Sequence, residues 1–266
     1  MSTRMSIGNQ PIVLDNLIHN YDFTDYTSGT TITNMVNSAQ SASLDNSPTH
    51  NKLGYIELDG TNDSLEITPT SIGLGNSGPT CTMEMGFRIP TGTSNELFLL
   101  TANTSEVAIS SDGTGHSHTY TVCRNSSGKL KLITRAGSSH TNWYGSYAAD
   151  KSTLDVENNV WYHMSIRVSA DGSSFGGGSD GLVSHINLNN VNFINRGGMY
   201  GGVAGPHRHI GAGSNIILGA SAPSTASRTT YPLEIAYFRA YTVKQTDAQR
   251  TQNYNHHVGR FSNQRY

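Results

Sequence analysis

Eleven histidines are spread along the chain, and four of them form two H-x-H pairs, His116-Ser117-His118 and His207-Arg208-His209. On an extended strand, residues i and i+2 point to the same face, so each pair would present two imidazoles to one metal ion. Neutral imidazole suits Zn, Ni, Cu or Fe, which makes a transition metal the ion expected at His116, His118, His207 and His209. Both pairs sit in Gly-rich stretches, Gly113–His118 and Gly205–Gly211, where the plainer reading is polar loop histidines. Ca²⁺ would be sought instead at the loop carboxylates Asp112, Asp171 and Asp180. These lack a fixed D-x-D-x-D spacing and serve more simply as turn formers. No cofactor is required by these patterns; a divalent metal is the addition they allow.

A second grouping has the chemistry of sugar recognition. Sugars stack their C–H faces on aromatic rings while amide, carboxylate and imidazole groups meet the hydroxyls. His140-Thr141-Asn142-Trp143-Tyr144-Gly145-Ser146-Tyr147 supplies that mixture, and Tyr200 lies in a later Gly-rich stretch. Asn142, Trp143, Tyr144, Tyr147 and Tyr200 are therefore the candidate carbohydrate contacts, against the simpler reading that Trp143 and Tyr147 cover a sheet. Trp161 alternates with apolar residues and is expected in the core.

Other motifs lack their context. Gly172-Ser173-Ser174-Phe175-Gly176 matches G-x-S-x-G, but Gly177, Gly178 and Asp180 follow where the nucleophile elbow needs a helix. Gly176, Gly178 and Gly181 match G-x-G-x-x-G without a βαβ unit around them. Asn125-Ser126-Ser127-Gly128-Lys129-Leu130 shares only Gly-Lys with a phosphate loop and reads as a hairpin turn.

The elements that must carry these residues are strands. Tyr55–Asp59 and Ser64–Ile67 alternate on either side of the turn Gly60-Thr61-Asn62-Asp63, and Cys81–Ile89 places Cys81, Met83, Met85, Phe87 and Ile89 on one face. Further strands are expected at Glu96–Thr101, Glu106–Ser110, Thr119–Cys123, Lys129–Thr134, Val160–Ser169, Val183–Leu188, Asn215–Ala220 and Leu233–Thr242. The abundant Ser and Thr suit exposed strand faces, and the 28 glycines suit turns. Thr246-Asp247-Ala248-Gln249 is a capping box that opens a helix to about His256. Asp171–Gly181 and Asn195–Ser214 read as long loops, a feature often tied to function or interfaces. Cys81 and Cys123 form no framework; each reads as a buried free thiol, with one bridge between adjacent strands as the alternative.

Composition closes off other classes. The formal charge is −2 and only 14% of residues are charged, so the basic footprint of a nucleic-acid binder is missing. No apolar run approaches the ~18 residues of a membrane span, and no membrane insertion is expected. Met1–Gln10 carries Arg4 but no apolar stretch, so no secretory signal is expected. The organisation expected is an N-terminal arm at 1–19, one all-β domain at 20–257 and a tail at 258–266.

The order of the blocks resembles the laminin G-like / concanavalin A-like jelly-roll superfamily. The residues that carry this are His19–Phe23; Tyr55–Leu65 as Φ-x-Φ-D-G-x-N-D-x-Φ; Thr80–Arg88; Val160–Val168; His185–Asn190; Ile216–Gly219; and Leu233–Tyr241 followed by the helix. The chain departs from the pattern at Gly86, where Trp is common, and at Asn190, where Gly is common. The resemblance implies a two-sheet antiparallel jelly-roll sandwich with a short C-terminal helix. Glycoside hydrolases of the superfamily present three acids on one strand; here Glu57 and Asp59 lack the third, so no enzyme is expected. H-x-H pairs are also similar to those of trimeric phage fibre tips. The resemblance therefore implies a bacteriophage virion protein, a head-decoration or tail/fibre component. Its partners would be capsid or tail subunits, with a homo-oligomer such as a trimer and surface glycans as further partners. A free lectin-like carbohydrate-binding protein is the alternative, and a glycoside hydrolase the distant one.

Overall fold

Short alternating segments bury one face each when they pair, and the described residues of this chain pair them into sheets. The computed structural model describes residues 11–67, 80–93, 97–102, 119–125, 127–135, 155–170, 182–196, 215–222 and 228–261. Along these run β1 (Leu17–Asp22), β2 (Thr31–Ile32), β3 (Ala42–Asp45), β4 (Thr49–Asn51), β5 (Tyr55–Asp59), β6 (Ser64–Ile67), β7 (Cys81–Arg88) and β8 (Leu97–Ala102). Then come β9 (Thr119–Arg124), β10 (Leu130–Arg135), β11 (Trp161–Ala170), β12 (Leu182–Leu188), β13 (Val191–Arg196), β14 (Ile216–Leu218), β15 (Pro232–Tyr241) and the helix α1 (Asp247–Phe261). The expected strand at Glu106–Ser110 and the Asp171–Gly181 loop up to Gly181 lie outside the described residues.

The strands form two antiparallel sheets. The first is ordered β13-β12-β11-β7-β15-β5-β4, with β1 also on β15; the second is ordered β10-β9-β8-β14-β6-β3-β2. β15 pairs with β7 along one edge, while its other edge is shared end to end by β5, on Pro232–Ile235, and β1, on Tyr237–Tyr241. The expected jelly-roll sandwich with a C-terminal helix is what the chain forms. Among the described residues no helix is long and apolar enough to cross a membrane.

Between the sheets lies the apolar core. Met83, Met85 and Phe87 of β7, Met164 and Ile166 of β11, and Ile235 and Phe238 of β15 meet Leu65, Ile67, Leu100, Val122, Ile216 and Leu218 of the second sheet. Each such side chain contributes roughly 1.5–3 kcal/mol on full burial. Cys81 and Cys123 are buried free thiols in different sheets, so the alternative of a bridge between adjacent strands does not arise. Burial pushes the Cys81 thiol up to about 12.

The polar residues of the first sheet's strands are not exposed as their composition suggested. In cross-strand register, Thr82, Glu84 and Gly86 of β7 lie beside Arg167, Ser165 and His163 of β11 and beside Tyr241, Arg239 and Tyr237 of β15. These fill the outer face, and all are buried. The cover is α1, whose Asn253, His257 and Phe261 form one stripe turned inward. The helix continues past the expected end at His256 because Phe261 stacks on Trp161, ring centroids 4.2 Å apart. Trp161 is buried as expected, but in this outer layer with Tyr55, Tyr237 and Phe261 rather than between the sheets. Residues expected as an arm are packed too: the Val13 amide donates to Asn253 Oδ1 at 2.8 Å, and Leu17–Asp22 is β1.

Candidate functional site

None of the candidate metal or carbohydrate residues from the sequence falls where the structure describes it. Asn142, Trp143, Tyr144, Tyr147 and Tyr200, and the pairs His116/His118 and His207/His209, all lie outside the described residues, as do Asp112, Asp171 and Asp180. Among the described residues, no group of three or more His, Cys, Asp or Glu is placed to hold a metal ion. What the described residues bring together is a groove at the end of α1 and the buried polar layer that holds the helix there.

The polar layer begins with Tyr237. Its hydroxyl lies 2.8 Å from His163 Nδ1 and 3.0 Å from His257 Nδ1. One hydroxyl has one proton, so at least one of these rings must carry its own proton on Nδ1. Tyr237 fits because β7 has glycine opposite: a Cβ at Gly86 would overlap the Tyr237 ring. Beside this chain, Asn253 donates to Glu84 Oε2 at 2.9 Å and to the Tyr241 hydroxyl at 3.0 Å. Glu84 Oε1 stands 3.8 Å from His163 Nε2, beyond direct hydrogen-bond reach.

Burial governs the charges here. It pushes the Glu84 carboxyl up to about 7, against Arg239 and the hydrogen bonds from Asn253 and Tyr241. It pushes His163 down to about 3, and Arg239, Arg250 and His256 add to the effect. His257 is held well below the usual imidazole range by burial, then by His163, Arg239, Arg260 and His256. Both imidazoles are neutral at pH 7.

At the far end of α1 the layer opens into a groove of about 760 Å³. Its floor and walls come from the β1–β2 loop, β2 and the residues after it, the β4–β5 turn at Leu53, and His256, Gly259 and Arg260 of α1. Arg260 is the fastening. Its Nη1 donates to both Asp22 oxygens at 3.0 Å each, and its Nη2 donates to the Gly54 carbonyl. Gly54 has φ +86°, and a Cβ there would stand 2.9 Å from Arg260 Nη2, so this turn requires glycine. Burial would raise the Asp22 carboxyl, but Arg260, the Thr24 hydrogen bonds and Arg239 outweigh it and hold Asp22 below the usual carboxylate range.

Local hydrogen bonds shape the opposite wall. Asp22 Oδ1 accepts from the Thr24 amide at 2.9 Å and from the Thr24 hydroxyl at 2.6 Å, turning the chain sharply after β1. The Tyr26 ring packs edge-on against Phe23 and His50, and its hydroxyl donates to the Gly29 carbonyl. Asn34 pins the next segment down, donating to the Ile18 carbonyl at 2.9 Å and accepting from the Asn20 amide at 3.0 Å. Asp25, Thr27, Ser28, Thr31 and Thr33 are thereby left exposed along the groove, with Met35 and Leu53 exposed at its rim. With Arg260 and Asp22 committed to each other, the exposed polar wall is hydroxyls and one carboxylate, suited to a neutral, hydroxyl-rich ligand.

Sequence reading missed this site. The residues span β1 to α1, more than 200 positions apart in the case of Asp22 and Arg260. Available signals were the run Thr24–Thr33, crowded with hydroxyls, and the charged Arg260 beyond the expected helix end. Neither has a spacing that points to a ligand without the fold.

No family model matches the chain, and no curated protein matches it. Solved structures share its fold. A Trypanosoma rangeli sialidase in complex with sialic acid aligns with a TM-score of 0.62 over 97% of this chain and 36% of that one, at 10% identity. The botulinum neurotoxin serotype D binding domain aligns at 0.55 over 90% of this chain and 51% of that one, at 10% identity. The serotype D/C VPI 5993 binding domain gives 0.56 over 91% and 52%, at 13% identity. This chain thus spans about a third to a half of these proteins. At such identities the likeness establishes the β-sandwich and nothing finer.

Proposed function

We propose that the chain is a non-enzymatic virion protein, a head-decoration or tail/fibre component. Its lectin-like jelly roll would make assembly contacts or adhere to surface glycans, and the groove beside α1 would be the glycan seat. The groove carries the reading: a cleft of about 760 Å³, fastened by Arg260 on one wall, offers exposed hydroxyls and Asp25 on the other. The fold neighbours are consistent with binding, one being a sialidase holding sialic acid and others being toxin binding domains. The carboxylates Glu57 and Asp59 have structural partners. Glu57 accepts from Asn51 Nδ2 at 2.8 Å, and Asp59 caps its own turn through the Thr61 and Asn62 amides. Those backbone bonds hold Asp59 below the usual carboxylate range, the wrong direction for a general acid.

The test has two parts. Cofractionation of the chain with assembled particles, and capsid or tail genes beside its own, are expected for a virion protein; a chain found only free in solution contradicts that role. On a glycan array the intact chain should bind neutral glycans, and Asp25→Asn with Thr31→Val should weaken binding about tenfold or more. Loss of binding in Trp143→Ala with the groove variant unaffected would move the seat to the 140–147 segment.

A further inference from the structure

We propose that α1 is an acid-released clasp: in mild acid the helix beyond its first turn lets go of the sheet, and the wall that His256 and Arg260 give the groove goes with it. Only the effect on glycan binding rests on the reading of the groove; the release rests on the helix's own contacts.

The helix is held by polar contacts to an unusual degree. Of its three buried residues, Asn253 and His257 are polar and only Phe261 is apolar. Amphipathic helices ordinarily bury an apolar stripe that is indifferent to pH. Here the stripe binds through Asn253 to Glu84, Tyr241 and the Val13 amide, and through His257 to Tyr237. A proton on His257 or His163 would place an imidazolium in a dry layer already crowded with cations.

The charged and titratable groups around that layer can be named among the described residues. β7 supplies Glu84 and Arg88; β11 supplies His163 and Arg167; β12 supplies His185; β15 supplies Glu234, Tyr237, Arg239 and Tyr241; β5 supplies Tyr55 and Glu57; β1 supplies Asp22. α1 itself supplies Asp247, Arg250, Tyr254, His256 and Arg260. Asp22 is engaged by Arg260 at 3.0 Å and faces Arg239 at 3.8 Å. Asp247 is engaged by Arg167 at 2.8 Å. Glu234 is engaged by Arg88 and Glu57 by Asn51. Among the described residues Glu84 is the remaining carboxylate, and it takes up its own proton near neutrality. An imidazolium formed below that pH finds no uncommitted carboxylate among the described residues of the layer.

The sign and size of the effect follow from linkage. A histidine freed by release titrates near its ordinary 6.5, so going from pH 7.5 to 5 raises the released fraction about 30-fold for each of the two. Glu84 works the other way: its raised value favours the docked helix in acid, and it cancels about 60-fold of that gain. The balance leaves release changing little near neutrality, then on the order of tenfold higher at pH 5 and on the order of a hundredfold or more higher at pH 4 than at pH 7.5. Glu84 therefore acts as a brake that confines release to acid.

Hydrogen exchange on the full chain reads this directly. After correction for intrinsic rates, amides of α1 from Arg250 to Phe261 should lose protection by these factors while β7 and β15 keep theirs. Glu84→Gln removes the brake, and opening at pH 5 should then exceed that at pH 7.5 by about 900-fold. His257→Gln removes one titrating group and should make the helix pH-insensitive over the same range to within about a few fold. Equal protection of α1 in the wild type at pH 7.5 and 4, or a Glu84→Gln profile no steeper than wild type, would overturn the clasp. A helix that opens as expected in a chain that binds no glycan at any pH leaves the clasp standing and removes the groove reading.

Discussion

Gly86 illustrates how one residue sets a whole layer. Its lack of a side chain lets Tyr237 cross the sheet surface and reach both His163 and His257. Gly86→Ala should destabilise the fold by about 1–3 kcal/mol, the usual cost of overpacking, read as a lower urea midpoint at unchanged slope. Asn253→Ala should cost a similar about 1–3 kcal/mol in the same measurement, since it strips partners from Glu84, Tyr241 and the Val13 amide at once. The sequence marked Gly86 as a departure from the family pattern, but its reason sits in Tyr237, on another strand brought alongside only by folding. The same holds for His163 and His257: no H-x-H spacing flags them, and their meeting depends on β11, β15 and α1 together. The histidines that spacing did flag lie outside the described residues.

The elements were more legible than the residues. β5, β6 and β7 stand within a residue or so of where alternation placed them, because each buries one face against the core. The capping box is real: the Thr246 amide donates to Gln249 Oε1 at 2.9 Å, and the Gln249 amide returns to Thr246 Oγ1 at 3.2 Å. Thr246→Ala should cost about 1 kcal/mol in denaturant unfolding followed by far-UV circular dichroism; no measurable change would mean that the cap adds nothing beyond the packed layer. β2, β3 and β4 escaped because two to four residues hold too little alternation to see. β13 escaped because no element is expected at Val191–Ile194 and Asn195-Arg196 falls in the expected Gly-rich loop that follows. Its signal was present in Asn189-Asn190, whose φ values of 48° and 65° make the tight hairpin between Leu188 and Val191. The hardest feature was the polar outer face of the first sheet. An alternating strand shows which residues share a face, not whether a helix will come back to cover it.

For the molecule as a whole, a charge-poor composition now has a structural meaning. Much of the charge among the described residues is spent on fastening: Arg88 to Glu234, Arg167 to Asp247, Arg228 to Asp45 and Arg260 to Asp22. The exposed polar wall of the groove is left to hydroxyls and Asp25. Asp22 makes this fastening acid-sensitive. Its depressed carboxyl contributes stability that is present above the ordinary carboxylate range and lost as pH falls through its lower folded value. Asp22→Asn should flatten the acid limb of thermal stability below about pH 4, checked by calorimetry across pH.

Amide chemical-shift mapping of the intact chain at neutral pH, titrated with a neutral glycan that scores on the array, bears most directly on the proposed seat. The shifts should gather at Thr24–Thr33 and at His256–Arg260, the two walls of the groove. Shifts confined to Asn142–Tyr147 and Tyr200, or no shifts with any glycan, would contradict it.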